Sequence, residues 1–396
     1  MTEATSTREL LRRAAIVGLG ITETGKVYGR SAADFAADAV RLAVADAGLT
    51  LADVDGLLVS SGLSGGVDIR LARQLGLHDL GILSQVAQAG STAGAQVQLA
   101  AMAIAGGLAT TVAIVHADAP LRPAARSGDA YRRAPGKAAT GFAGLGAVAG
   151  PRNPNSGYAL AAQRHMSHFG TTSEQLGAIA VSQRAWAAKN PLARFRDPIT
   201  IADHQASRWV ARPLHLLDCC MVSNGGIAMV LTSVERATEL AQPPVHLWGW
   251  AQTHPNNRME RGSQWGLVSG AAIAGPKAMA IAGVTPADVD VREIYDCYTY
   301  TALITLEDYG FCAKGEGGQL AESGALGPEG ALPTNTGGGQ LSSYYLWGMT
   351  PLSEAVIQVR GHGGERQVDR HEVAIVSGNG GVLDYHSTLV LGSGQR

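Results

Sequence analysis

Two neighbouring tyrosines follow a run of three glycines in the segment NTGGGQLSSYYLWGM, which spans Asn335–Met349. The segment has no histidine and no cysteine, so its only titratable side chains are the phenols of Tyr344 and Tyr345. A phenol has a reference pKa of about 10, and it transfers protons near neutral pH only when hydrogen bonds, a helix amino terminus or a charge activate it. The glycines can present backbone N–H groups to a developing negative charge. The segment therefore indicates proton transfer.

A second group of phenols lies in EIYDCYTY, which spans Glu293–Tyr300. Tyr295 stands at the end of a short apolar strand, and Asp296 follows it directly, where a carboxylate could orient or charge a phenol. Adjacent residues of a strand point to opposite faces, which argues against that role. Tyr298 and Tyr300 are more simply explained as packed rings.

Cysteine and histidine chemistry receives little support. None of the four cysteines has the CxxC spacing of a zinc site, and a chain this long does not need a disulfide framework. A nucleophile at Cys297 would have no evident base beside it. His165 and His168 lie one helical turn apart with no recognisable third ligand, so we expect a helix-surface pair, and His116 ends an apolar strand, so we expect it in the core. No metal and no cofactor are expected.

The overall charge of the chain is close to neutral. The formal net charge is -2 and the pI about 6.6, which gives no electrostatic case for nucleic acid or an anionic membrane. The polar N-terminus has no secretory signal, so we expect a cytoplasmic protein. A Pro/Gly/Arg-rich excursion over about 119–157 carries basic residues that either meet the phosphates of a ligand or solvate a loop; they are Arg122, Arg126, Arg132, Arg133 and Lys137.

The elements that must position these groups are short and apolar. No Asp, Glu, Lys or Arg occurs from Leu80 to Ala117, but Gly106-Gly107 interrupts this stretch, which favours a buried helix at Ser91–Ala105 and a buried strand at Thr111–His116 over a membrane span. Further β-branched strands are predicted at 14–20, 56–61, 227–233, 291–295, 373–378 and 387–393.

The chain contains its own near-copy. AGLTLADVD (Ala47–Asp55) and AGVTPADVD (Ala282–Asp290) agree at seven of nine residues, and VAIVHAD (Val112–Asp118) resembles VAIVSGN (Val373–Asn379). Two ordered matches at similar offsets favour duplication over convergent helix-strand turns. We therefore expect two α/β halves, 1–242 and 243–396, divided near the prolines at 243–244.

The duplicated chain, its uncharged central helix and its C-terminal NTGGG and SGNGG loops together resemble the thiolase superfamily, in its sterol-carrier or lipid-transfer-protein branch. Three further segments carry the likeness: Arg164–Phe195, Leu216–Leu231 and Glu293–Gly318. The resemblance spans nearly the whole chain. It implies a thiolase fold, in which two duplicated α/β halves form five layers in the order αβαβα.

The sequence departs from the thiolase pattern at all four catalytic positions. The position of the nucleophilic cysteine falls on Ala89, give or take one residue, and the Gly-His pair becomes Tyr344-Tyr345. The position that holds an asparagine or histidine is Tyr295, and the second cysteine is replaced by Ser377. Without a thiol nucleophile no acyl-enzyme can form, so ordinary thiolysis is excluded.

The remaining pattern, down to Tyr344–Val368, resembles the thiolase-like aldolases of actinobacterial steroid degradation. This resemblance implies retro-aldol cleavage of a 17-hydroxy steroid-20-carboxyl-CoA into a 17-ketosteroid and propionyl-CoA, with Tyr295 and Tyr345 as the acid–base pair. The supporting residues it suggests are Asp296, Tyr344, Gly338, Gly339, Asn379 and Gly380.

The same resemblance implies a homodimer that works with a small zinc-ribbon and OB-fold partner, so any zinc would belong to the partner. Two other interpretations remain open at this point. One is an acyltransferase with an unexpected nucleophile, and the other is a non-catalytic thiolase-like subunit of a complex. The absence of cysteine at Ala89 argues against the first, and the retained glycine loops and paired phenols argue against the second.

Overall fold

The computed structural model describes residues 12–131, 144, 148–150, 153–255 and 262–395. Arg132, Arg133 and Lys137 lie outside these ranges. The strands are β1 (Ala14–Ile21), β2 (Gly56–Ser61), β3 (Ile82–Gln85), β4 (Thr111–Asp118), β5 (Trp209–Ala211), β6 (Leu214–His215), β7 (Gly225–Ser233), β8 (Val245–Thr253), β9 (Val291–Glu293), β10 (Val373–Gly380) and β11 (Tyr385–Gly392).

The helices between these strands are mostly short. They are α1 (Ala32–Asp46), α2 (Leu71–Leu75), α3 (Thr92–Ala105), α4 (Pro154–Phe169), α5 (Ser173–Ala188), α6 (Ile201–Ala206), α7 (Val234–Ala237), α8 (Ala271–Ala282), α9 (Thr299–Asp308), α10 (Gly317–Glu322) and α11 (Met349–Val359). The predicted buried helix is α3, and the end of the predicted 119–157 excursion is already helical, because α4 begins at Pro154.

Nine strands form one mixed sheet in the order β3-β2-β4-β7-β1-β8-β11-β10-β9. Three neighbouring pairs are parallel, namely β2 with β3, β2 with β4, and β9 with β10, and the others are antiparallel. The N-terminal and C-terminal strands meet where β1 pairs with β8 over only two residue pairs. Strands β5 and β6 form a separate hairpin.

Three apolar clusters separate the layers. Helix α1 packs on one face of the N-terminal strands, and α8 and α9 pack on one face of the C-terminal strands. Helices α3 and α11 share the central cluster with side chains of both groups of strands. The order is therefore helices, strands, helices, strands, helices, which confirms the five layers that the resemblance to thiolases implied.

The first repeated segment adopts the same structure in both copies. The helices α1 and α8 are each followed by a left-handed glycine, Gly48 at φ 74° and Gly283 at φ 70°, a conformation in which glycine avoids a steric cost. A threonine then donates its backbone N–H and its hydroxyl to an aspartate three residues later. Strand β2 follows the first of these turns, and strand β9 follows the second.

The second repeated segment matches in sequence, but equivalent side chains of the two copies point into different apolar clusters. In β4, Val112 and Ile114 point into the central cluster. In β10 the corresponding Val373 and Ile375 point into the cluster that contains α8 and α9, which we call the outer cluster. The sequence match is therefore one residue out of phase with the structure, and a one-residue shift turns every side chain of a strand to the other face.

The uncharged stretch is part of the core. All eight residues of β4 are buried, as are eleven of the fourteen residues of α3. Within the described ranges, no helix is long and apolar enough to cross a membrane. The segment supplies the middle of the molecule, as predicted.

Candidate active site

The structure brings the phenols of Tyr295 and Tyr345 together. Their hydroxyl oxygens lie 3.1 Å apart, although 50 residues separate them in the chain. Tyr295 is the second residue after β9, and Tyr345 is the second residue after a single π-helical turn at Gly339–Ser343. Two hydroxyls at this distance share one hydrogen bond, so an ionised form of either phenol would be stabilised by the other.

The amino end of α3 lies against this pair. A Cβ atom added at Gly90 would stand 2.3 Å from the Tyr295 hydroxyl and 2.2 Å from the Asn379 carbonyl oxygen, so only glycine fits there. Ala89, the position of the thiolase nucleophile, has φ 49°, a left-handed conformation that is unfavourable for alanine. The helix dipole of α3 favours negative charge at this end.

Asp296 holds the Tyr345 segment rather than a phenol. The Asp296 carboxylate is buried and accepts hydrogen bonds from the backbone N–H groups of Gln340 and Leu341, the closest at 2.9 Å. Burial raises the pKa of Asp296 to about 7, against the opposing effect of these N–H donors. The predicted contact between Asp296 and a phenol is therefore replaced by a contact with the backbone that precedes Tyr345.

Tyr344 points away from the pair. Its hydroxyl lies 3.1 Å from the Ser353 hydroxyl of α11, and its ring belongs to the central apolar cluster. Burial raises the pKa of Tyr344 to about 12, which makes it a poor proton donor. Tyr344 and Tyr345 therefore face opposite sides of their segment.

The glycines of the NTGGG segment serve its close packing. Gly338, at φ 95°, lies against Ala187 of α5, where an added Cβ would be 2.5 Å from the Ala187 Cβ. Gly339, at φ 59°, lies against the Asp296 carboxylate. A Cβ atom added at Gly339 would be 2.2 Å from a carboxylate oxygen of Asp296. Larger residues would push the Tyr345 segment away from both supports.

Asn379 and Gly380 lie in a strand, not in a loop as predicted. Strand β10 continues to Gly380, paired with β11, because the turn begins only at Gly381. The Asn379 amide donates to the Tyr158 hydroxyl at 3.0 Å, and Tyr158 donates to the Gly381 carbonyl at 2.8 Å. Asn379 therefore anchors Tyr158 of α4 over the site.

A buried ionic network, which the sequence analysis did not identify, supports the glycine segment from below. Glu293 accepts hydrogen bonds from the backbone N–H and the hydroxyl of Thr336 at 3.0 and 2.8 Å. The Thr336 hydroxyl oxygen also lies 3.1 Å from Glu354, which pairs with Arg366 at 2.8 Å. Burial raises the pKa of Glu293 well above its usual range. No local pattern marks these partners, because the tertiary fold alone brings them together.

The thiols and histidines near the site offer no other reactive centre. Cys297 is buried, its sulfur lies 3.8 Å from the Thr301 hydroxyl, and burial raises its pKa to about 12, so the thiolate is scarce at neutral pH. His116 is buried as predicted, with Nδ1 3.1 Å from the Ser60 hydroxyl and its ring stacked on Trp347.

The prediction of a surface histidine pair was wrong for His165. His165 is buried and its Nε2 lies 3.0 Å from Glu307, because α4 packs against α9 rather than facing solvent there. Over the part of the chain that the structure describes, no three His, Cys, Asp or Glu side chains are grouped so that they could hold a metal ion. Arg122 and Arg126 of the excursion are exposed.

Comparison with known proteins places this chain in a family. Residues 251–393 match the family described as thiolase C-terminal domain-like. The chain is 40% identical to the steroid side-chain-cleaving aldolase of Thermomonospora curvata, over 93% of this chain and 95% of that protein. It is also 40% identical to the 17-hydroxy-3-oxo-4-pregnene-20-carboxyl-CoA lyase of Mycobacterium tuberculosis, over 93% of this chain and 97% of that protein.

A solved structure gives the same result for the fold. The Ltp2-ChsH2(DUF35) aldolase superimposes with a TM-score of 0.86 at 38% identity, over 97% of this chain and 98% of that chain. The identity and coverage exceed what a shared fold alone would require. This chain belongs to the thiolase superfamily, in the family that contains these steroid side-chain-cleaving aldolases.

Proposed function

We propose that this chain cleaves a 17-hydroxy steroid-20-carboxyl-CoA by a retro-aldol reaction into a 17-ketosteroid and propionyl-CoA. The observation that carries the proposal is the hydroxyl pair of Tyr295 and Tyr345, 3.1 Å apart, beside a nucleophile position occupied by Ala89. The names of the two relatives that are 40% identical describe the same class of reaction.

The reaction needs one base and one acid. The base removes the proton of the C17 hydroxyl, the bond between C17 and C20 breaks, and its electron pair passes to the thioester as an enolate. The acid then protonates C20 to give propionyl-CoA. A tertiary alcohol is less acidic than a phenol, so proton removal and bond cleavage must occur together.

The phenol pair can supply both functions. The phenol that has received a proton is bonded to its neighbour, so the proton can return to C20 through the same pair. The amino end of α3 beside Gly90 favours negative charge at this place, on a phenolate or on the enolate oxygen. The thioester accepts the electron pair, so the proposed reaction needs no cofactor from this chain.

The competing functions make different demands. An acyltransferase needs a thiolate, and the high pKa of the buried Cys297 thiol opposes it. A non-catalytic subunit would not need two phenols held at hydrogen-bonding distance.

We also propose that the chain acts as a homodimer core with a small partner of the zinc-ribbon and OB-fold type. The solved relative carries ChsH2(DUF35) in its name beside Ltp2, which supports a partner of that kind. We propose further that the two halves of the chain, which the internal repeat indicates, divide near residue 243 and that both phenols lie in the C-terminal half.

The test is a turnover assay with the chain alone and with such a partner. A steroidal tertiary β-hydroxyacyl-CoA is supplied, and propionyl-CoA and the ketosteroid are quantified together. Equal amounts of both products are expected, and activity should be lost when Tyr295 and Tyr345 are both changed to Phe. Activity that survives this change would refute the tyrosine mechanism. Loss of activity in Cys297→Ser, with an acyl adduct trapped on the wild-type thiol, would favour the acyltransferase.

A further inference from the structure

A buried serine accepts a hydrogen bond from the backbone N–H of each tyrosine of the pair. The backbone N–H of Tyr295 donates to the Ser377 hydroxyl at 2.8 Å, and that of Tyr345 donates to the Ser223 hydroxyl at 3.0 Å. Both serines are 1% exposed. They lie on β10 and on the segment before β7, so each phenol is tied to an element other than its own.

Ser377 lies in a chain of hydroxyls that includes Tyr309, a member of the outer cluster. The Tyr309 hydroxyl lies within hydrogen-bonding reach of Ser377, and it also contacts the Thr388 hydroxyl at 2.7 Å and the His386 Nε2 at 3.0 Å. A serine hydroxyl has one proton and two lone pairs. Partners on the Tyr309 side therefore orient Ser377 so that a lone pair faces the Tyr295 N–H.

Ser223 belongs to a segment that joins the two phenol-bearing segments. The backbone N–H of Cys220 donates to the Cys297 carbonyl at 3.0 Å, and that of Met221 donates to the Gln340 carbonyl at 3.3 Å. The first bond lies two residues from Tyr295 and the second lies five residues from Tyr345. The segment 220–223 thus bonds to both sides of the site before it reaches Tyr345.

We propose that Ser377 and Ser223 are positioning residues that set the separation of the two phenol hydroxyls. The inference rests on the proposed function. A buried N–H group without an acceptor costs free energy. If either serine hydroxyl is lost, we therefore expect the tyrosine whose N–H it accepted to shift toward another acceptor. A shift of about 1 Å at a reacting centre reduces turnover by roughly 10²-fold. This function also explains why a serine suits the place where thiolases have a second cysteine, because a thiol is a weak acceptor.

The experiment compares Ser377→Ala and Ser223→Ala with Ser353→Ala in the same turnover assay with the partner present. Ser353 is an equally buried serine whose hydroxyl contacts Tyr344 and the Thr350 carbonyl, not the phenol pair. We expect kcat to fall about 10- to 100-fold in the first two variants with KM changed less than about twofold. The melting temperatures of all three variants should fall by similar amounts.

Conservative variants separate positioning from packing. Ser377→Thr and Ser223→Thr keep the hydroxyl and should recover most of kcat, whereas Ser377→Cys keeps the shape and should not. If Ser377→Ala and Ser223→Ala keep the kcat of Ser353→Ala, or if Ser377→Cys is fully active, the inference is wrong.

The two proposals can fail separately. If the wild-type chain turns over and the Tyr295→Phe, Tyr345→Phe double variant does not, the proposed function stands whatever the serine variants do. If the double variant is active, the tyrosine mechanism fails first, and the positioning of the phenols no longer bears on turnover.

Discussion

The two copies of the duplicated unit share their scaffold and differ in what stands at the ends of their strands. The turns Thr50–Asp53 and Thr285–Asp288 have the same hydrogen bonds. By this match, Ser60 of β2 corresponds to Tyr295 after β9. In the N-terminal copy Ser60 contacts the His116 ring, whereas in the C-terminal copy the phenol of Tyr295 meets Tyr345.

The comparison also shows where duplication stops being a guide. The tetrapeptide VAIV stands in both β4 and β10, but its first and third side chains face the central cluster in β4 and the outer cluster in β10. Identical sequence therefore gives the two strands the same β-propensity and the same alternation of side chains. The register with the neighbouring strands decides which side chains point to which cluster. A repeated scaffold can therefore carry catalytic groups in only one copy.

We expect the largest difference in kcat between variants of the corresponding positions Tyr295 and Ser60. In the proposed mechanism Tyr295→Phe removes one member of the acid–base pair, and we expect kcat to fall about 10³-fold in the propionyl-CoA assay. Ser60→Ala changes the equivalent residue of the other copy and should leave kcat within about threefold, because Ser60 contacts only His116 among the described hydrogen bonds. Similar losses in both variants would contradict the assignment of chemistry to the C-terminal copy.

A smaller effect is expected at Gly90, where α3 of the N-terminal copy meets the phenol of the C-terminal copy. Gly90→Ala places a methyl group 2.3 Å from the Tyr295 hydroxyl, and we expect kcat to fall about 10²-fold as the phenol is displaced. Gly128→Ala is the control, since an added Cβ there meets nothing within 4 Å. An active Gly90→Ala enzyme would show that the phenol works in another position.

The pH dependence of stability offers a third comparison, between Asp296 and Asp118. Burial raises the pKa of Asp296 from 3.8 to about 7, so between these values the folded protein holds a proton that the unfolded chain has lost. The contribution to the free energy of unfolding is therefore full below pH 3.8 and decreases as pH rises to about 7. Denaturant titrations of wild type and Asp296→Asn should show a difference that falls over this range.

Asp118 is a buried aspartate of the N-terminal copy, and burial also raises the pKa of its carboxyl. Asp118→Asn should change the stability profile in the same direction but leave the pH profile of kcat intact, because Asp118 bonds to residues 63, 64 and 119 rather than to the Tyr345 segment. A wild-type and Asp296→Asn pair with parallel stability profiles would show that Asp296 is not protonated in the folded state.

The smallest effect concerns the repeated turns. Thr50→Ala and Thr285→Ala each remove a 2.7 Å hydroxyl bond to the aspartate of the turn, and each should lower the free energy of unfolding by about 0.5 to 1 kcal/mol. Equal losses in urea titrations would extend the structural equivalence of the turns to their energetics. A loss in only one copy would limit the equivalence to geometry.

Much of the local structure, and the residue types of the proposed acid–base pair, could be predicted from the sequence alone. The glycine and threonine signals of both turns, the apolar strands and the uncharged helix α3 are local patterns, and they follow from backbone conformation and side-chain burial. Strands β3, β5, β6 and β8 were not predicted. The first three are only two to four residues long, and the mixture of tryptophan, histidine and glycine in β8 hides its strand pattern. The replacement of the thiolase cysteines and histidine by Ala89, Ser377 and Tyr345 could also be recognised along the chain.

Only the tertiary structure decided how those groups meet. The closure of Tyr295 on Tyr345, the contact of Gly90 with the phenol and the serines behind each backbone all join residues that are at least 50 positions apart. Tyr344 and Tyr345 are the clearest case, because they are neighbours of the same residue type. The path of their segment, held between Asp296 and α11, directs the Tyr344 phenol to Ser353 and the Tyr345 phenol to Tyr295. The physical reason is that packing against distant elements, which no local pattern encodes, selects the direction of each side chain.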